Sequence, residues 1–169
     1  MKNLVILGAG TAGTMMANHL VKKLNKKEWQ ITLVDQFKSH YYQPGFLFIP
    51  FGTYQPEDVK RTIDEFLPKG IQLIREKIDR IDKDTDTVIL ENGRNVKYDI
   101  LIIATGCKIA PEEVPGMKGD TWQKNIFDFY TFEGSCALAK KLETWPGGKL
   151  VVHITEMPIK CPVAPLEFA

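Results

Sequence analysis

The sequence lacks the features that mark several classes of protein. Its three cysteines, Cys107, Cys136 and Cys161, are too far apart for a disulfide framework or a zinc site, and its three histidines show no metal-ligand spacing. The formal net charge is only +1, with basic and acidic residues interspersed, so there is no electrostatic footprint for nucleic acid. No apolar run approaches the roughly twenty residues of a membrane span, and no signal peptide opens the chain. We therefore expect a cytoplasmic protein without a metal site.

A glycine motif directly follows the first apolar stretch. The run Lys2–Leu7 leads into the G-x-G-x-x-G sequence Gly8-Ala9-Gly10-Thr11-Ala12-Gly13, and a helix is predicted from Thr14 to about Leu24. In such a motif the first glycine permits the tight turn, the second lets the backbone approach a pyrophosphate, and the third lets the helix pack closely on the strand. The pyrophosphate would lie at the helix N-terminus, where N–H groups and the helix dipole favour negative charge. The motif predicts a dinucleotide cradle.

An acidic residue follows the next predicted strand. The apolar run Gln30–Val34 ends in Asp35, at roughly the twenty-residue spacing at which a carboxylate binds ribose hydroxyls in dinucleotide-binding folds. The competing interpretation is a structural turn followed by an unrelated aspartate. The strand on one side and the helix on the other favour the nucleotide site.

The segment Phe37–Gly52 is aromatic and is interrupted by prolines and glycines. One interpretation is a loop that folds back as part of the core. The other is a lining for a flat ring such as a flavin, with Pro44 and Gly45 bringing the backbone close to it. Both interpretations stay open on the residues alone. The following stretch, Glu57–Phe66, has apolar residues at helical spacing and predicts a surface helix.

The middle of the chain has the pattern of strands. Ile71–Asp82 alternates, and an Asn92-Gly93 turn predicts a hairpin between Thr87–Leu90 and Asn95–Tyr98. Tyr98–Ile103 predicts a strand that is buried on both faces. It ends in Ala104-Thr105-Gly106, which should lie at the same sheet edge as the glycine motif, because ligands of doubly wound sheets bind beyond the carboxyl ends of the strands.

In this order, the motifs resemble the FAD domain of flavoproteins that contain two dinucleotide-binding domains, over Met1 to about Ala110. The resemblance implies an α/β fold: a Rossmann-like FAD-binding domain with an antiparallel hairpin insert. It also implies that Asp35 binds the adenosine ribose, that the backbone near Lys77 and Ile78 approaches the adenine, and that Ala104, Thr105 and Gly106 cross near the pyrophosphate. The predicted boundaries are 1–112 for this domain, 113–147 for a connecting segment, and 148–169 for the start of a second dinucleotide-binding-like domain.

The end of the chain separates the members of this superfamily. Leu150–Thr155 predicts a strand, and prolines 158, 162 and 165 follow it with Cys161 among them. Enzymes that use NAD(P)H carry a second glycine loop here, whereas no glycine follows Gly148 in this chain. The proline-rich turn and the aromatic segment His40–Gly45 resemble the sulfide:quinone oxidoreductases, which oxidise sulfide and reduce membrane quinone.

This resemblance implies a role for the thiols. Cys161 would face the flavin and carry the oxidised sulfur that sulfide attacks, working with a partner cysteine from the C-terminal half, while Gln43 and Pro44 would lie beside FAD. A turn between a strand and a helix stabilises a thiolate, and Lys160 adds positive charge. Cys107 is either a further sulfur carrier, as in some sulfide oxidisers, or an ordinary residue of the crevice. Cys136, on a predicted helix over Glu133–Leu142, should be structural.

Two other functions stay open: an NADH:quinone oxidoreductase-type flavoprotein, and a non-catalytic FAD-binding fragment. Residues 162–169 look like the first turn of a helix without a body, so we expect a truncated chain. In the family, the quinone pocket and peripheral membrane contact would then belong to the missing C-terminal part. The sequence is compatible with an oligomer.

Overall fold

The computed structural model describes residues 1–169, which form two compact units. The first unit comprises Met1–Tyr41 and Lys60–Cys107, and the second comprises Tyr42–Val59 and Lys108–Ala169. The regular elements of the first unit are, in chain order, β1 (Lys2–Leu7), α1 (Thr11–Lys23), β2 (Trp29–Val34), β3 (Ser39–Tyr41), β4 (Lys60–Thr62), β5 (Ile71–Ile74), β6 (Ile78–Asp82), β7 (Thr87–Leu90), β8 (Asn95–Lys97) and β9 (Ile100–Ile103). Those of the second unit are α2 (Phe132–Thr144) and α3 (Ala164–Phe168). None of the helices has the length and apolar character needed to span a membrane.

A parallel sheet of four strands, in the order β5-β2-β1-β9, forms the centre of the first unit. The two faces of β1 pack against different partners, because successive side chains of a strand point to opposite sides. Ile6 and its neighbours on one face pack with Ala17 of α1. Val5 and Leu7 on the other face pack with Val88 and Leu90 of β7. Burial on both faces explains why β1 and β2 are continuous apolar runs.

The predicted antiparallel insert is present as the sheet β6-β7-β8. Its Asn92-Gly93 turn is confirmed: Gly93 has φ +82°, and the Leu90 N–H donates to the Arg94 carbonyl at 3.0 Å. The prediction of one strand over Ile71–Asp82 is wrong, since β5 belongs to the parallel sheet and β6 to the insert. The chain leaves the parallel sheet after Ile74, and the Lys77 carbonyl accepts from the Glu91 N–H at 2.9 Å, which starts the new pairing.

Burial of the last strand on both faces is also a wrong prediction. β9 lies at the edge of the sheet and pairs only with β1, so that Ile100 and Ile103 are 45% and 64% exposed. An apolar run predicts a strand but does not reveal whether a second neighbour covers it.

Glu57–Phe66 is not a helix. Lys60–Thr62 pairs with β3, and a 3-10 helix covers Ile63–Phe66. The reason is local: the Glu65 carboxylate accepts from the Thr62 N–H at 3.0 Å and from the Thr62 hydroxyl at 2.8 Å, which starts the turn at residue 62.

The second unit is organised around α2, which confirms the helix predicted over Glu133–Leu142. Thr131 caps it by accepting from the Gly134 N–H at 3.0 Å. Leu138 packs in a cluster with Leu142 of the same helix and with residues from the aromatic segment, from α3 and from the stretch before α2: Leu47, Phe127, Phe129 and Phe168. Phe46 is also buried, within a 3-10 helix over Gln43–Phe48. These contacts support the core interpretation for this part of the aromatic segment.

The strand predicted over Leu150–Thr155 is not formed. This stretch belongs to no sheet, and Leu150, Val151 and Ile154 are exposed. A strand requires a neighbour that takes its backbone hydrogen bonds, and none pairs with these residues. α3, of five residues, follows Cys161 by three positions.

Candidate functional site

The glycine loop connects β1 to α1 by close backbone packing. A Cβ atom on Gly13 would lie 1.8 Å from the Gly8 carbonyl oxygen, and one on Gly8 would lie 2.4 Å from the Ala104 carbonyl oxygen. Gly8 also has φ +93°, which favours glycine. A Cβ on Gly10, in contrast, would meet no atom within 4 Å. Gly8 and Gly13 are therefore required by the fold, whereas Gly10 borders open space.

The N-terminus of α1 faces that open space. Gly10 is its N-cap residue, no side chain caps it, and its first turn carries no acidic residue. Gly10, Thr11 and Ala12 are exposed. Backbone N–H groups without helical partners, together with the positive end of the helix dipole, make such a terminus a favourable place for phosphate.

Two side chains hold Ala9, between the first two glycines. The Asp35 carboxylate accepts from the Ala9 N–H at 2.6 Å, and its other oxygen accepts from the Phe37 N–H at 2.7 Å. The Nδ1 atom of His40 lies 3.1 Å from the Ala9 carbonyl oxygen, which requires the proton on Nδ1 in this contact. Because a carboxylate has about four acceptor positions, Asp35 keeps capacity for ribose hydroxyls. The role of His40 was missed, since nothing in the spacing to Ala9 signals it.

The other predicted nucleotide residues of this unit lie beside the loop. The Ala104 N–H donates to the Leu7 carbonyl at 2.8 Å, so the Ala104-Thr105-Gly106 turn touches the glycine loop. The Glu76 N–H donates to the Asp35 carbonyl at 3.1 Å and brings the start of the insert close to the carboxylate. Lys77 next to it forms an ion pair with Glu91, whose hydrogen bond raises the pKa of the ammonium. Ile78 packs against the buried apolar cluster that contains Val5 and Leu7 of β1.

Cys161, in the second unit, has an exposed thiol and an unusual backbone. Its φ is +53°, in the left-handed region that costs a non-glycine residue roughly 1–2 kcal/mol. Its carbonyl accepts from the Ala164 N–H at 3.1 Å and from the Tyr130 hydroxyl at 3.3 Å. The expected strand before Cys161 is absent. The ammonium of Lys160 contacts the side-chain oxygen of Gln43.

The remaining cysteines differ from Cys161 in surroundings. Cys136 is half-buried on α2, and burial, followed by the charge of Glu133, raises the pKa of its thiol. It therefore stays protonated at neutral pH, as the structural interpretation expects. Cys107 is exposed and follows the Ala104-Thr105-Gly106 turn. Its surroundings do not distinguish a further sulfur carrier from an ordinary residue of the crevice.

The fold and the glycine loop define a dinucleotide-binding domain. The sequence model of the family described as "Pyridine nucleotide-disulphide oxidoreductase" matches residues 2–152. The chain therefore belongs to the pyridine nucleotide-disulphide oxidoreductase family. FAD is the cofactor of this family, and the open space at Gly10, the uncapped N-terminus of α1 and the remaining acceptor capacity of Asp35 fit it.

Within this family, the chain is similar to sulfide:quinone oxidoreductases, which confirms the predicted resemblance. It is 31% identical to the sulfide-quinone reductase of Aquifex aeolicus over 99% of this chain and 38% of that protein. The crystal structure of the sulfide:quinone oxidoreductase from the same organism matches with a TM-score of 0.69 and 27% identity, over 85% of this chain and 32% of that chain. A type II NADH:quinone oxidoreductase of Staphylococcus aureus is 29% identical over 72% of this chain and 30% of that protein. The chain thus spans about a third of the length of these relatives.

Proposed function

We propose that the protein is an FAD-dependent oxidoreductase that oxidises sulfide through Cys161 and passes the electrons by way of the flavin to a quinone. The whole reaction involves residues beyond the stretch that corresponds to this chain in its relatives. The proposal assigns two tasks to the chain itself: to hold FAD, and to present the reactive thiol.

The first task falls to the glycine loop and its neighbours. Backbone N–H groups at Gly10, Thr11 and Ala12 would bind the pyrophosphate, and Gly8 and Gly13 would keep the loop in shape. Asp35 would accept from the ribose hydroxyls while it holds Ala9. The remaining contacts proposed for FAD are those predicted from the sequence: Gln43, Pro44, Lys77, Ile78, Ala104, Thr105 and Gly106. Bound FAD would supply the two-electron chemistry that takes electrons from sulfur and passes them on to the quinone.

The second task falls to Cys161. Sulfide is the nucleophile of the proposed step: it would attack an oxidised sulfur at Cys161, in a disulfide with the partner cysteine that the family resemblance implies, and a new sulfur–sulfur bond would form as the bond to the partner sulfur breaks. Closure of the sulfur bridge around the added atom would release two electrons and a proton, which FAD would accept. The exposed side chain of Cys161 is accessible to so small a substrate. The observation that supports sulfide most is the extent of the matches: the Aquifex aeolicus relative aligns over 99% of the chain, and so over the Cys161 segment, whereas the NADH:quinone relative aligns over 72%. Cys107 is kept in the proposal as a second sulfur carrier.

The test is stopped-flow reduction of the bound flavin by sulfide, in the parent protein and in the Cys161→Ser variant. A hydroxyl nearly preserves the size of the side chain but removes the sulfur that must carry the sulfur–sulfur bond, so we expect retained FAD and loss of sulfide-dependent reduction. Cys136→Ser is the matched control and should react as the parent does. Reduction of Cys161→Ser at the parent rate would show that the thiol mechanism is wrong.

The second candidate is an NADH:quinone oxidoreductase, which the Staphylococcus aureus relative favours. The proline-rich segment around Cys161 and the absence of a glycine loop after Gly148 speak for sulfide instead. Rapid bleaching of the flavin by micromolar NADH would reverse this choice. A protein that binds FAD but is reduced by neither compound would be the non-catalytic alternative.

Peripheral contact with a membrane belongs to the same proposal, because quinones partition into lipid. Co-flotation of the FAD-loaded protein with quinone-containing vesicles is the measurement. Recovery of the protein only in the vesicle-free fraction would count against this part of the proposal.

A further inference from the structure

The segment Met157–Val163 contains no helix or strand, yet Cys161 within it has a defined and unfavourable backbone conformation. A non-glycine residue with a clearly positive φ persists only where its surroundings hold it there. The contacts that hold Cys161 therefore decide how its thiol is presented.

One contact acts on Cys161 itself. The Tyr130 hydroxyl donates to the Cys161 carbonyl at 3.3 Å, and the Ala164 N–H donates to the same oxygen at 3.1 Å. Tyr130 is in turn fixed by its position before α2, because its N–H donates to the Asp128 carboxylate at 3.0 Å. The Tyr130 hydroxyl thus reaches the Cys161 segment from a residue whose backbone is held at the start of α2.

A second contact acts on the preceding residue. The ammonium of Lys160 donates to the side-chain oxygen of Gln43. Gln43 begins the 3-10 helix Gln43–Phe48, whose residues Phe46 and Leu47 are buried. This contact connects the segment to a part of the chain more than a hundred residues away in sequence.

A third contact fixes the chain after Cys161. The ring of Phe168 in α3 stacks on that of Phe129, with centroids 4.6 Å apart and an interplanar angle of 6°, and it also meets the ring of Phe51 at 5.1 Å. Cys161 is therefore restrained at its own carbonyl and on both of its sides. Tyr130 and Gln43 supply the two polar restraints from outside the segment.

We propose that Tyr130 and Gln43 are positioning residues that hold Cys161 in its left-handed conformation and so fix the direction of its thiol. Neither residue needs to touch the reacting sulfur atoms. The consequence for sulfide oxidation rests on the proposed function, whereas the restraint itself does not. Burial, and then the electrostatic effect of Cys161, raise the pKa of Tyr130, so its hydroxyl stays a donor across the neutral pH range.

The restraint can be measured without any substrate. In a Cys107→Ser/Cys136→Ser background, Cys161 is the only cysteine, and 13C-labelled cysteine reports its backbone through the Cα and Cβ chemical shifts. In the background protein we expect Cα and Cβ chemical shifts that are typical of the left-handed region. Tyr130→Phe and Gln43→Ala should each move them toward extended values, and the combination should move them further. Tyr54→Phe and Gln55→Ala, which change exposed residues outside the Cys161 contacts, are the matched controls and should leave them unchanged.

A double-mutant cycle separates the Gln43 contact from a general loss of structure. Lys160→Met removes the same contact from the other side, so the combination of Gln43→Ala and Lys160→Met should shift the Cys161 signals no further than the larger single change. Additive shifts, or signals that stay at the background values in Tyr130→Phe and Gln43→Ala, would overturn the proposal. If Tyr130→Phe does not fold, this cycle decides the role of Gln43 alone.

The catalytic consequence is measured on the FAD-loaded protein. Loss of one neutral hydrogen bond in Tyr130→Phe should lower the maximal rate of flavin reduction by sulfide about fivefold. The half-saturating sulfide concentration and the FAD content should not change, since Tyr130 contacts neither in the proposal. A parent protein that sulfide does not reduce would refute the proposed function, and the chemical shifts would still decide the restraint.

Discussion

The glycine loop of the first unit and the Cys161 segment of the second are held in place by different means. In the loop, backbone packs directly on backbone, and there is no room for one additional carbon at Gly8 or Gly13. At Cys161, side chains from distant positions hold an otherwise irregular segment through single hydrogen bonds. A site of the first kind is either intact or lost. A site of the second kind can be weakened in steps, and its geometry can be tuned by substitution.

The largest effect that this comparison predicts is at Gly13. In Gly13→Ala the new methyl group would overlap the Gly8 carbonyl, which belongs to backbone and cannot move aside, so we expect a loss of more than about 3 kcal/mol in the free energy of unfolding. Urea denaturation followed by circular dichroism is the measurement. Gly10→Ala is the control, because its Cβ meets no atom within 4 Å. Equal stability of the two variants would show that the loop is not packed as described.

Gly10→Val should separate cofactor binding from folding. The side chain would occupy the open space that the pyrophosphate needs, while the backbone at Gly10, with φ −72°, accepts a side chain. We expect at least a tenfold weaker affinity for FAD, on the order of 1.4 kcal/mol or more, with the fold retained. Flavin content after purification and titration of the apoprotein measure it. Undiminished flavin content would contradict the placement of the pyrophosphate.

Gly134→Ala tests whether the second unit also contains a glycine position that close packing leaves no room to substitute. A Cβ there would lie 2.3 Å from a carboxylate oxygen of Asp128 and 2.6 Å from its backbone oxygen. Since Asp128 also holds the start of α2, we expect a loss of about 2 kcal/mol in stability. Thermal unfolding is the measurement, with Gly119→Ala as a control because no atom lies within 4 Å of its added Cβ. A loss no greater than the control's would refute the contact.

The smallest effect concerns the turn at Thr62. Hydrogen bonds from the Thr62 backbone and hydroxyl lower the pKa of the exposed Glu65 below its ordinary value of 4.5. A lowered pKa in the folded state means that the stabilisation is present above pH 4.5 and is lost as the pH falls through the lowered value. Parent and Glu65→Gln should therefore differ slightly in melting temperature at pH 7 and converge in acid. A difference that does not depend on pH would exclude the carboxylate as its cause.

The local geometry of the glycine loop could be predicted from the sequence, whereas the contacts around Cys161 could not. The glycine spacing, Asp35 and the Asn92-Gly93 turn are local signals, since each states a backbone requirement within a few residues. The contacts of His40 with Ala9 and of Tyr130 with Cys161 join positions 31 residues apart in each case, and no local pattern encodes them. Leu150–Thr155 shows the same limit, because an apolar run has the same pattern whether or not a neighbouring strand is available.

Asp35 and His40 satisfy both polar backbone groups of Ala9, and this has a thermodynamic consequence for the nucleotide. The loop conformation is set by contacts within the protein, so its conformational entropy is lost during folding and not during association. The affinity for a dinucleotide is then not reduced by a cost of ordering the loop. A substitution of Asp35 would leave the loop less ordered in the folded protein, so the entropic cost of ordering it would be borne by cofactor binding and no longer by folding. Such a protein, of nearly unchanged fold, would bind its cofactor with a larger entropic penalty.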